Sequence, residues 1–163
     1  MRRLALLTPL LAAPFVFASL NSMQVIAPAA CANALVHEPV VVYDISGSTL
    51  LGPFFEHLAV YNDGYAILSA TTYAPDPGQC QTSSLTAAEV TQLRQDLVAA
   101  GALTLCDDTG LVPSDLPLTT VTMFRGTTNA AAHTFSYWGG SDPVYDPVDQ
   151  VLRNLITAKF PGF

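Results

Sequence analysis

Asp44-Ile45-Ser46-Gly47-Ser48 follows the apolar run Val40 to Tyr43 and places a carboxylate and two hydroxyls at alternate positions. On a loop that lets them converge, these are the hard oxygen ligands that Mg²⁺ or Ca²⁺ takes. A strand ending in a Ser/Gly turn accounts for the same residues without chemistry. Asp142, Asp146 and Asp149 could gather a weak Ca²⁺ site, although helix capping and dipole complementarity also explain their spacing. Asp107-Asp108 are neighbours on an acidic loop and read as solvated charge. Of the histidines, His37-Glu38 runs into Pro39, which excludes a helical His-Glu-x-x-His zinc motif. His57 points to the opposite strand face from Glu56. His133 reads as a strand histidine packed with Phe135 and Tyr137. There is no Gly-x-Ser-x-Gly window for a nucleophile elbow. The residues therefore assign no catalytic group, no metal and no cofactor, and the chain reads as non-enzymatic.

The N-terminus supplies the compartment. Met1-Arg2-Arg3, the apolar run Leu4 to Leu20 and the small residues Ala30-Cys31-Ala32 have the form of an export signal. Cleavage after Ala32 leaves a single domain, residues 33–163, of 131 residues, enough for one core. A cut after Ala18 and an uncleaved anchor are the alternatives. No later stretch is long and apolar enough to span a bilayer, so the expected location is secreted or periplasmic. Beyond residue 32 the cations are Arg94, Arg125, Arg153 and Lys159, against 13 acidic residues, a formal charge of −9. Such a domain is set against nucleic acid and anionic membrane surfaces, and acidity of this size keeps a domain soluble and monomeric.

Three cysteines are an odd number for an oxidising compartment. Loss of Cys31 with the leader leaves Cys80 and Cys106, for which a disulfide worth roughly 3 kcal/mol is expected. Lipidation of Cys31 is the minority alternative, because Pro28-Ala29-Ala30-Cys31 has the outline of a lipobox with Pro in place of a Leu-like residue.

The positioning elements follow from periodicity. Pro39 to Ile45 predicts a buried strand ending in a flexible Ser46-Gly47-Ser48. Phe54 to Tyr61 and Tyr65 to Thr72 flank Asn62-Asp63-Gly64, a hairpin turn. Tyr73 to Ser83, with two prolines, a glycine and Cys80, reads as a loop. Thr86 and Glu89 form a capping box, Leu85 and Val90 a hydrophobic staple, and Val90, Leu93, Leu97 and Ala100 a helical stripe ended by Gly101. Ala102 to Leu105 reads as a short extended piece. Leu118 to Phe124 and Ala131 to Tyr137 make a second hairpin. Asp146 as cap and Pro147 as first residue open a last helix with Val148, Val151, Leu152, Leu155 and Ile156 on one face. The sum is an α+β domain: an antiparallel sheet of about four to five strands with two helices packed on one face.

Two resemblances bear on function. The Asp44-x-Ser46-x-Ser48 run resembles the Mg²⁺ loop of von Willebrand A domains, which implies metal-dependent adhesion or a hydrolytic role. Here, however, Pro53 and a hairpin replace that family's long helix. The succession Ser46-Gly47 to Gly52, Leu85-Thr86-Ala87-Ala88-Glu89-Val90-Thr91-Gln92-Leu93, Ala99-Ala100-Gly101-Ala102-Leu103-Thr104-Leu105, the strand with His133-Thr134-Phe135 and the helix with Val151-Leu152-Arg153-Asn154-Leu155-Ile156 resembles small bacterial domains related to emfourin, an inhibitor of thermolysin-like metalloproteases. That resemblance spans most of residues 40–157. It implies a non-enzymatic domain bound to another extracytoplasmic protein, with protease inhibition as a specific form. The Asn62-Asp63-Gly64 hairpin, the Cys80 and Cys106 pair and the export signal depart from it, and no inhibitory residue carries over. The expected contact surfaces are Gly47 to Phe55 and Tyr137 to Tyr145. A structural envelope component is the third reading.

Overall fold

The valines after Pro39 build the strand around which everything else is arranged. In the computed structural model, β1 (Pro39–Thr49) pairs antiparallel with β2 (Gly52–Tyr61) on one side and with β5 (Leu118–Phe124) on the other. The structure describes residues 37–72, 78–110, 116–125, 130–139 and 142–163. The proposed leader with Cys31 and the turn at 126–129 lie outside these residues. The remaining elements are β3 (Tyr65–Thr72), β4 (Gln79–Ser84), α1 (Ala87–Ala99), β6 (Ala131–Trp138) and α2 (Asp146–Lys159). The sheet order is β4-β3-β2-β1-β5-β6, and every neighbouring pair is antiparallel. The fold is therefore α+β with six strands rather than four or five. The additional strand, β4, lies in the segment expected to be a loop, where polar Gln79-Cys80-Gln81-Thr82-Ser83-Ser84 pairs along β3. A half-exposed edge strand needs ladder bonds more than apolar periodicity, so hydrophobic alternation gave no sign of it.

Alternation decides the two faces. Val41, Tyr43, Ile45, Leu58, Val60, Leu68, Val121, Phe135 and Tyr137 share one core with Val90, Leu93 and Leu97 of α1 and Val148 and Leu152 of α2. The helices thus cover one sheet face. The other carries a smaller cluster of Ala59, Tyr61 and Ile67, with Val42, Tyr65 and Cys80 against it.

The capping box and the glycine closure expected for α1 are both realised. Thr86 Oγ1 accepts from Glu89 N–H, and Glu89 Oε2 accepts from Thr86 N–H at 2.7 Å. At the far end Gly101 N–H bonds Val98 O and Ala102 N–H bonds Leu97 O, a Schellman closure that Gly101 permits with φ 92°. Ala102 to Leu105 is a turn rather than an extended piece, because Thr104 N–H bonds back to Gly101 O. Gly64 closes the β2–β3 turn at φ 86°, and a Cβ there would lie 2.0 Å from Leu85 O. Helix α2 begins at Asp146 with Tyr145 as its cap residue, one position before the expected cap.

Polar contacts then fix α2 to the frame. Tyr43 is fully buried, and its hydroxyl donates to Asp149 Oδ1 at 2.5 Å. Tyr137 Oη donates to the same oxygen at 3.0 Å, and Arg153 Nε to Asp149 Oδ2 at 2.5 Å. Burial pushes the Asp149 carboxyl up, but the bonds from Tyr43, Arg153 and Tyr137 outweigh it and hold the group below its ordinary value. Lys159 Nζ donates to Glu89 Oε1 at 2.7 Å and, with the Thr86 bonds, brings the Glu89 carboxyl down to about 2.

Both carboxylates have depressed values when folded, so their stabilisation is complete above the unfolded carboxylate range and is lost as pH falls through the folded values. Tyr43→Phe is expected to lower stability by about 1.5–3 kcal/mol near neutral pH, the worth of a bond to a charged acceptor. The difference from wild type should narrow below about pH 4. Denaturant titrations of both proteins at several pH values test this, and a pH-independent difference would contradict it.

Candidate functional site

Strand β1 continues to Thr49, beyond the expected end at Ile45, and Thr49 pairs directly with Gly52, leaving Leu50-Leu51 as a two-residue turn. Such turns ordinarily hold Asn, Asp or Gly. Here both positions are leucine, at 107% and 75% relative exposure. Burying a leucine side chain is worth about 1.5–3 kcal/mol, a gain that this fold forgoes twice at one point. Side-chain hydrogen bonds close the tip. Leu51 N–H donates to Thr49 Oγ1 at 3.2 Å, and the Thr49 hydroxyl donates to Gly52 O at 3.3 Å. Behind the turn, the Phe54 ring lies across Gly47, where an added Cβ would meet ring carbons at 2.7 Å and 2.8 Å. Phe54 itself packs against the main core. The expected contact segment Gly47 to Phe55 is therefore a paired hairpin with an apolar end. In the other expected segment Tyr137 and Tyr145 are buried with their rings stacked at 4.5 Å, while Val144 is 55% exposed.

Asp44, Ser46 and Ser48 lie on a strand, not on a loop. They share a face, and successive members are separated by roughly 6.6–6.8 Å of extended chain. Three ligands of one ion must converge on a single point, and a straight strand holds them apart. Asp44 Oδ1 instead meets His57 Nδ1 at 2.6 Å across the β1–β2 ladder. Ser69 is the next residue in that row, opposite His57. The order Ser69, His57, Asp44 is that of a hydrolase triad, and strand pairing, which no linear motif encodes, is what creates it. In this row the side chains of His57 and Asp44 are about half exposed. The backbone N–H groups of these interior strands belong to the ladders, so the strands themselves offer no converging donors for an oxyanion.

The remaining candidates are spoken for. Asp142 Oδ1 accepts Val144 N–H, Asp146 Oδ1 accepts Asp142 N–H and Asp149 is held by Tyr43, Tyr137 and Arg153. Asp107 Oδ1 accepts Ser136 N–H and Asp108 Oδ1 accepts Gly110 N–H. His133 Nε2–H donates to Leu105 O at 2.5 Å with its ring beside Phe135. His37 stacks on Tyr65 and contacts Asp63 through Nδ1. Among the described residues, no three His, Cys, Asp or Glu side chains come together as a metal set.

The expected Cys80–Cys106 disulfide is not formed. Cys106 is a free, exposed thiol. Cys80 lies on β4 at one sheet edge, whereas Cys106 follows α1 and leads into Asp107 and Asp108, which bond Ser136 of β6 at the other edge. Five strand spacings of about 4.8 Å make roughly 24 Å, against the 4.4–6.8 Å between Cα atoms that a disulfide needs. Their separation along the sequence gave no warning, because the strand order sends the flanking segments apart. Cys106 is expected to react with a thiol reagent in the native protein. Cys106→Ser should abolish that reaction while changing stability by less than about 0.5 kcal/mol, and an unreactive native thiol would restore the bridged pairing. A scan against protein-family models and a search of curated proteins found no match to this chain.

Proposed function

We propose that this is an exported, non-enzymatic domain that binds another extracytoplasmic protein through the β1–β2 hairpin tip, with protease inhibition as one specific form. The observation that carries the reading is the full exposure of Leu50 and Leu51 on a turn whose backbone is already fixed. Exposed apolar side chains on a stiff support cost little entropy to dock, and a partner pocket that takes them gains the burial this fold leaves unused. Acidity beyond residue 32 suits a partner with a basic rim around that pocket. The weak outline shared with emfourin-like domains points the same way, and it makes a thermolysin-like metalloprotease the first partner to assay. Among the described residues, no helix is long and apolar enough to cross a membrane.

The test is capture of extracytoplasmic proteins by immobilised wild type and by Leu50→Asp/Leu51→Asp, with and without chelator, followed by inhibition assays on any protease recovered. A discrete partner retained in chelator by wild type and lost by the double variant is the expected result. Single Leu→Ala changes should each weaken the complex by about 1–2 kcal/mol, or 5–30-fold. A partner that requires added Mg²⁺ or Ca²⁺ would favour the Asp44, Ser46, Ser48 reading instead. A partner held equally by the double variant would move the contact surface elsewhere.

A further inference from the structure

The four cations beyond residue 32 divide into two pairs. Arg153 meets Asp149 and Lys159 meets Glu89. Arg94 and Arg125 have no carboxylate partner among the described residues, in a chain with 13 acidic residues. Both of these line one groove of about 480 Å³ between α1 and the β5–β6 end of the sheet, walled by Val98, Leu103, Met123 and Phe124. Arg94 is aimed by a bond from Nη1 to Phe124 O at 3.2 Å, while its Nη2 is buried with no hydrogen-bond partner. An orphaned guanidinium donor is costly in a fold that could have supplied any of its many carboxylates. Val98 and Leu103 are 50% and 42% exposed, so the wall offers an apolar surface to whatever enters.

We infer that this groove binds a carboxylate carried on a short apolar chain, with Arg94 and Arg125 holding the head and Val98, Leu103 and Phe124 the tail. The volume lies within the roughly 300–1,000 Å³ range of small-molecule sites. A planar carboxylate matches the guanidinium fork. A single negative charge also suits the surroundings better than a phosphate dianion, which the protein's net charge of −7 would repel more strongly. The groove sits where Met123 pairs with Val41, at the opposite end of β1 from Leu50 and Leu51, so this site stands independently of the hairpin contact.

Calorimetric titration of the purified protein with decanoate tests the inference, with decanol as the uncharged control. A tripeptide ending in leucine, with a free or an amidated C-terminus, forms the second arm. Saturable decanoate binding that decanol does not reproduce is expected, weakening with salt and falling at least tenfold in both Arg94→Met and Arg125→Met. Binding of the free-ended but not the amidated peptide would place the same carboxylate on a chain terminus instead of a free acid. Arg125 is exposed, so its variant should fold normally, and thermal melting of Arg94→Met shows whether that variant does. Absence of saturation by both carboxylates into the millimolar range, equal binding of decanol, or unchanged affinity in Arg125→Met would overturn it.

Discussion

The placement of α2 depends on one part-buried carboxylate. Asp149 lies in the first turn of α2, and two tyrosines from different strands, Tyr43 and Tyr137, donate to the same one of its oxygens. A carboxylate withdrawn this far from water is disfavoured without partners, and the two hydroxyls and Arg153 offset that cost together. This condition sets the rotation and axial position of α2 more narrowly than the apolar contacts of Val148 and Leu152 could. Oily side chains can slide against one another at small cost, whereas three hydrogen bonds to one group cannot. Burial comes first among the influences on both tyrosines and, with the nearby carboxylate, raises their hydroxyl pKa values, so neither competes as an acid. The same bonds that fix the helix remove these groups from proton-transfer chemistry.

What could be read from the sequence was whatever local chemistry alone decides. The capping box at Thr86 and Glu89, the glycine closure at Gly101, the Asn62-Asp63-Gly64 turn and the alternation through Val121 and His133 are all short-range, and each appears where the residues place it. The α+β class followed from those elements. The missed features depend on pairing between distant segments. Strand β4 exists because β3 offers it a ladder, and β1 runs on through Ser46-Gly47-Ser48 because Phe55, Phe54 and Pro53 pair with those residues. The distance between Cys80 and Cys106 is a consequence of strand order. Neither the Asp149 cluster nor the alignment of Ser69, His57 and Asp44 has a linear signature, since each gathers residues from three separate elements.

The extension of β1 changes how its residues should be understood. As a loop, Asp44, Ser46 and Ser48 would be free to close on an ion. As a strand, they are spread along one face, and what the strand delivers is its far end. Serine and glycine are poor strand formers, and their pairing is bought by the phenylalanines opposite, with Phe54 filling the space that Gly47 leaves. The outcome is a paired arm that carries the turn beyond the last core residue on β1, Ile45.

Local preference and the observed structure disagree most sharply at Leu50-Leu51. A two-residue turn favours residues that tolerate positive φ, and an exposed position in an acidic, water-facing domain favours polar ones. Leucine satisfies neither preference, and Thr49 and Gly52 must supply the bonds that keep the turn closed. Elsewhere this chain obeys local rules closely, at Thr86, Gly64 and Gly101 among others. Where a sequence otherwise consistent with its fold breaks a rule without a gain in the folded state, the compensation is expected outside the molecule. Leu50 and Leu51, at the turn that ends the longest strand, are the clearest place where the packing of this domain does not account for its sequence.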